Sequence, residues 1–102
     1  MSFPDPGVEL APLAQQDYED ILTYGTRTWG EQAMLEYEAV LQRSFATLAA
    51  FPELGRRRPD LARDLRSHPL GEHVAFYRVT GRTVLVARIL HRKTNVTAAM
   101  VD

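Results

Sequence analysis

The chain has 102 residues, 45% of them hydrophobic and 25% charged, with a formal net charge of −1, which suits one domain spanning 1–102 and leaves too little for a second core. It has no cysteine, so disulfide scaffolds, thiolate metal sites and cysteine nucleophiles are excluded, and the composition suits a reducing cytosol. No apolar run reaches the roughly 18 residues of a membrane span, and the acids and prolines of residues 1–10 do not make a secretory signal; the expectation is a cytoplasmic protein with no membrane partner.

Residues 1–7, with Pro4, Pro6 and Gly7, read as a loose leader. Residues 8–10 form a short strand, kept short or at an edge by Pro12. The period then changes. Ala14, Tyr18, Ile21, Leu22, Gly25 and Trp29 recur every three or four positions, which predicts a helix over about 13–28 with Trp29 wedged into the packing at its end. A second helix is predicted over about 31–51, its apolar stripe made by Met34, Tyr37, Leu41, Phe45, Leu48 and Phe51, with Pro52 as its stop. Two such helices, a few residues apart, form an antiparallel hairpin that needs cover for its apolar face.

Glycine and proline then punctuate residues 55–71, with a short strand expected near 64–67. From His73 the pattern is that of a sheet. Residues 73–79 and 83–90 are β-branched and aromatic runs joined through Thr80 and Gly81, a strong antiparallel hairpin signal. The tail, 96–102, is apolar enough to pack as an edge strand or to order on a partner. These elements specify an α+β fold in which a helical hairpin packs on a small, mainly antiparallel sheet.

Charge is distributed unevenly along the chain. Residues 1–54 hold nine acids against Arg27 and Arg43, whereas residues 55–102 hold ten bases, nine of them arginine, against four acids. Such a bipolar chain offers a basic surface to nucleic acid or to an acidic protein. The six glycines are single, so no loop cradles phosphate, and His68, His73 and His91 lack ligand spacing, so no metal or cofactor is expected. Arg66 and Arg78 are candidate phosphate contacts. Arg88 either joins Arg78 in a basic stripe on one sheet face or is buried against Glu36 or Glu38, and the sequence leaves both open. With His91, Arg92 and Lys93, these residues have the types that metal-free RNA cleavage uses, and equally those of a phosphate-binding surface without chemistry.

An ordered series of fragments resembles the ParE branch of the ParE/RelE toxin superfamily over residues 9–95. It comprises the stretch from Tyr18 to Tyr24, Trp29-Gly30, Ala33, Tyr37, Phe45 through Pro52, Gly55-Arg56, Arg58-Pro59-Asp60-Leu61, Leu65-Arg66-Ser67, Gly71 with His73, Phe76-Tyr77-Arg78-Val79, and Val86 with Arg88-Ile89-Leu90-His91. The resemblance implies a β-α-α-β-β-β toxin of a type II toxin–antitoxin system. It further implies a non-enzymatic inhibitor of DNA gyrase or of a gyrase–DNA complex, neutralised by a ParD-like antitoxin lying across the helical hairpin and sheet, with operator DNA reached through that antitoxin. Arg88, His91, Arg92 and Lys93 would face the target. The alternative is a RelE-like, ribosome-dependent mRNA endoribonuclease, which requires Arg66, Arg78 and His91 to converge. Many relatives have an acid shortly after the Leu-His pair, where this chain reads His91-Arg92-Lys93-Thr94-Asn95.

Overall fold

A computed structural model describes residues 6–101. Residues 1–5 of the expected leader lie outside the described residues; Pro6 and Gly7 form a turn, and the Gly7 carbonyl accepts the Val84 N–H at 2.9 Å. In chain order the elements are β1 (Val8–Leu10), α1 (Pro12–Trp29), α2 (Glu31–Ala50), β2 (Arg56–Arg57), β3 (Arg66–Leu70), β4 (His73–Thr80), β5 (Thr83–His91) and α3 (Ala98–Val101). The strands form one sheet in the order β1-β5-β4-β3-β2, antiparallel except that β1 runs parallel to β5.

Pro12 occupies the first turn of α1, where its missing N–H costs nothing. The helix ends at Gly30, whose φ of 91° is open to glycine and strained for other residues; this corner lets α2 start at once and fold back. On the sheet side, α1 and α2 bury Ala14, Tyr18, Leu41, Phe45 and Leu48 against Val8, Leu70, Ala75, Tyr77, Val84, Val86 and Ile89. Strand alternation turns Val74, Phe76 and Leu90 to the other face. There they pack with Leu61, Leu65, Val96, Met100 and Val101, so both faces of the central hairpin are covered. Both hairpins close through two residues beginning with glycine, Gly71-Glu72 and Gly81-Arg82.

Several expectations are corrected. Trp29 is 64% exposed and Phe51 65% exposed, because Trp29 is the last residue of α1 and Phe51 caps α2 one residue past its end, beyond the area the sheet covers. The strand expected near 64–67 begins at Arg66 and runs to Leu70, and it gains a two-residue edge partner in Arg56–Arg57 that has too few residues to show a period. The tail is a short helix whose Val101 is buried, rather than an edge strand.

Arg88 pairs with neither Glu36 nor Glu38. The parallel ladder from β1 ends at Val86, so the next stretch of β5, still paired with β4 after a register shift between Phe76 and Tyr77, has no strand on its other side. Asp17 of α1 takes that place. Its carboxylate accepts the Ile89 N–H at 2.9 Å and Arg88 Nε and Nη2 at 2.7 and 2.9 Å, while Arg88 Nη1 donates to the Met100 carbonyl at 3.0 Å. Asp17 thereby holds the guanidinium even more firmly in its charged form, chiefly by hydrogen bonding.

Asp17→Ala strands both the arginine and a backbone N–H in a pair whose side chains are only 21% and 13% exposed. The expected loss is about 2–3 kcal/mol, seen as a fall of roughly 10 °C or more in Tm by circular dichroism. Asp17→Asn, which still offers an oxygen to Ile89, should lose less; equal losses would assign the whole effect to charge.

Candidate functional site

At the end of the sheet where β4 begins and β5 finishes, the helical corner overhangs and leaves a groove of about 680 Å³. One wall is apolar and comes from the helices: Ile21, Tyr24, Gly25, Trp29, Ala33 and Met34. Tyr24 and Trp29 are each 64% exposed and meet edge to face, their ring centroids 5.8 Å apart. Gly25 lies so close to Met34 that an added Cβ would fall 2.1 Å from the Met34 sulfur, so the absence of a side chain sets the groove's depth.

The opposite wall is polar and basic. The register pairs His73 with His91, and their rings meet edge to face at 5.4 Å. Tyr37 of α2 reaches beneath them. Its hydroxyl oxygen accepts the Glu72 N–H at 2.9 Å and lies 2.6 Å from His73 Nδ1 and 3.2 Å from the Leu70 carbonyl. With His73 neutral and its proton on Nε2, Tyr37 donates to Nδ1. When His73 is charged, Nδ1–H donates to Tyr37 and the hydroxyl turns to Leu70. Burial, with the charge of His91 adding to it, depresses the His73 pKa, against a weaker opposing pull from Glu72.

His91 Nδ1 accepts the Lys93 N–H at 3.1 Å, which folds the chain after β5 back onto its end. Arg92 is tied to the β3–β4 turn twice, by its N–H to the Glu72 carbonyl at 2.9 Å and by its guanidinium to the Glu72 carboxylate. Arg92 holds that carboxyl below its usual value, first by hydrogen bonding and then by charge. Both side chains remain more than half exposed, so the pair is open to exchange with a partner's acid.

The structure thus brings His91, Arg92 and Lys93 to one rim and places Arg88 elsewhere, its guanidinium committed to Asp17 and Met100. Arg66 and Arg78 do not approach His91. Arg66 pairs in register with Tyr77, four positions along β4 from the His73–His91 pair, or about 13 Å at strand rise. Arg78, paired with Leu85, points to the opposite face from Tyr77. Among the described residues no group of three or more acidic, histidine or cysteine side chains could hold a metal, and no helix is long and apolar enough to cross a membrane. Sequence reasoning missed the aromatic wall. Trp29 has the spacing of a core residue, and its only distinguishing signal is its place directly before the helix-ending Gly30.

The family model described as the ParE toxin of the type II toxin-antitoxin system, parDE, matches residues 8–96. The chain is 35% identical over 89 residues to Toxin ParE1 of Caulobacter vibrioides, covering 87% of this chain and 92% of that one. It is 37% identical over 60 residues to Toxin ParE3 of the same bacterium, covering 59% and 60%. Among solved structures, a chain from the chromosomal ParDE TA system from P. aeruginosa has the same fold, with a TM-score of 0.70 at 20% identity over 83% of this chain and 94% of that one.

Burial depresses the pKa of both His68 and His73 below the ordinary 6.5. Below pH 6.5 the unfolded chain takes up protons that the folded chain refuses, so the stability present above that pH is lost as pH falls through the folded values. Tm should therefore drop between pH 7.5 and 5.5, and His73→Gln should flatten that dependence. A wild-type Tm that is level across this interval would contradict it.

Proposed function

The chain belongs to the ParE toxin family, and on that premise we propose that it is a cytoplasmic, non-catalytic toxin that binds DNA gyrase, or a gyrase–DNA complex, and is neutralised by a ParD-like antitoxin. The observation that carries this reading is the groove, whose exposed aromatic wall stands beside a basic rim. An amphipathic antitoxin segment, with Leu, Val or Ile toward Tyr24, Trp29 and Met34 and acids toward Arg92 and Lys93, matches both walls. The antitoxin would in turn link the pair to operator DNA.

In this reading His91, Arg92 and Lys93 meet the target directly. Arg88 contributes by holding the strand that presents them, since Nε, Nη1 and Nη2 each already donate within the fold. Target and antitoxin share one rim, so neutralisation is by occlusion. The RelE-like ribonuclease would need Arg66, Arg78 and His91 in one pocket, and their separation along β4 favours a binding toxin over that alternative.

Two variants test the two walls separately. Arg92→Ala with Lys93→Ala should weaken inhibition of gyrase supercoiling at least ten-fold with an unchanged Tm, because both residues are exposed beyond the end of β5. Full inhibition by this variant would remove the rim from the target surface, and arrest of translation without effect on gyrase would move the protein to the ribonuclease reading. Trp29→Ala should cost about 100-fold in antitoxin affinity, the scale of an aromatic anchor, again without unfolding. An unchanged affinity by calorimetry would place the antitoxin elsewhere.

A further inference from the structure

A second concavity, about 520 Å³ in volume, opens beyond the end of α2 and away from the groove. Arg57, Arg63 and Arg66 line it, with Glu53 and Asp64 as its acids. Arg66 is half-buried and fixed in orientation: Nη1 donates to the carbonyls of Glu53 and Gly55 at 3.0 and 2.8 Å, which uses both hydrogens of that nitrogen. The same turn is pinned from beneath by Tyr77, whose hydroxyl donates to the Pro52 carbonyl at 2.7 Å and accepts the Gly55 N–H at 2.8 Å.

The Nε and Nη2 of Arg66 make no hydrogen bond among the described residues. They form the edge with which a guanidinium grips two oxygens of one anion. Neither Glu53 nor Asp64 takes that edge, for the ion pairs among the described residues are Arg58–Asp60, Arg88–Asp17 and Arg92–Glu72. Arg57 and Arg63 are exposed beside it, also without a carboxylate partner. Arg56 next to Arg57 on the edge strand, and Arg82 at the tip of the β4–β5 hairpin, carry positive charge further than one small anion would use.

We propose that this pocket binds a backbone phosphate of a nucleic acid strand, with the open Nε–Nη2 edge of Arg66 on two phosphate oxygens and Arg57 and Arg63 neutralising the charge beside it. An acidic protein segment fits less well, because the pocket gives it only Pro59 and Val79 as exposed apolar contacts. The site involves neither the groove nor its rim, so it stands whether or not gyrase is the target.

The test is fluorescence anisotropy of the full chain with a labelled DNA duplex of about 20 base pairs and with single-stranded DNA and RNA, between 50 and 200 mM salt. The wild type should bind at least one of them, with affinity falling as salt rises. Arg57→Gln with Arg63→Gln should lose at least ten-fold and reduce the salt slope by about 1.4–2, since two phosphate contacts are gone. Tm should not change, as neither side chain makes a described contact. Arg27→Gln with Arg43→Gln, two exposed arginines of the helices that line neither the pocket nor the groove, should bind nucleic acid as the wild type does. Whichever strand type binds best identifies the source of the phosphate. The proposal is overturned by any of four results: no binding at 50 mM salt, a loss as large in the Arg27/Arg43 variant, binding of inorganic phosphate alone, or polyglutamate binding as tightly as nucleic acid.

Discussion

One carboxylate determines how the halves of this molecule meet. Asp17 stands where β5 has lost β1 as a neighbour, and it supplies the acceptor that a strand would otherwise supply to the Ile89 N–H. The same group fixes the Arg88 guanidinium, which reaches on to the Met100 carbonyl. A helix on one face of the sheet, the terminal helix associated with the other, and the strand between them are thus joined at a single partly buried cluster. Replacing it by apolar residues could be neutral for stability, whereas breaking one side of it leaves unmatched polar groups.

That arrangement also sorts the basic residues. Arg88 is used up inside the fold, leaving two separate positive regions at opposite ends of the β4–β5 hairpin. At one end His91, Arg92 and Lys93 border an aromatic wall; at the other Arg57, Arg63 and Arg66 border a pocket whose described lining has no aromatic residue. The difference is chemical. A surface with adjoining aromatic and charged areas suits a protein segment, while three guanidinium groups lining one pocket without an aromatic wall suit repeating phosphates.

Sequence reasoning succeeded where a period extends over many residues. The two helices and the 73–79/83–90 hairpin have enough repeats of 3.6 or 2 to reveal both their type and their core faces. It failed at the ends of elements. Trp29 and Phe51 keep the helical spacing but lie past the sheet's reach, and a periodic pattern contains no measure of where the opposing surface stops. It failed also across distance, since Glu36, Glu38 and Asp17 are equally eligible partners for Arg88 until the β5 register is known. The open edge of Arg66 was unreadable for a related reason, because it depends on two backbone carbonyls whose positions no side-chain pattern records.

Asp17 and Arg88 lie 71 residues apart, and that separation has a consequence for the order in which the protein can be made. At a synthesis rate of about 5–20 residues per second, roughly 4–14 s elapse between translation of one and the other. During that interval the nascent helices have no β5 against which to bury their inner face, and β1 has no strand to pair with. His91 and Arg92 arrive later still, so the groove has no basic rim until all of β5 has been made. An elongating chain therefore displays apolar helices without the sheet surface that covers them in the folded protein.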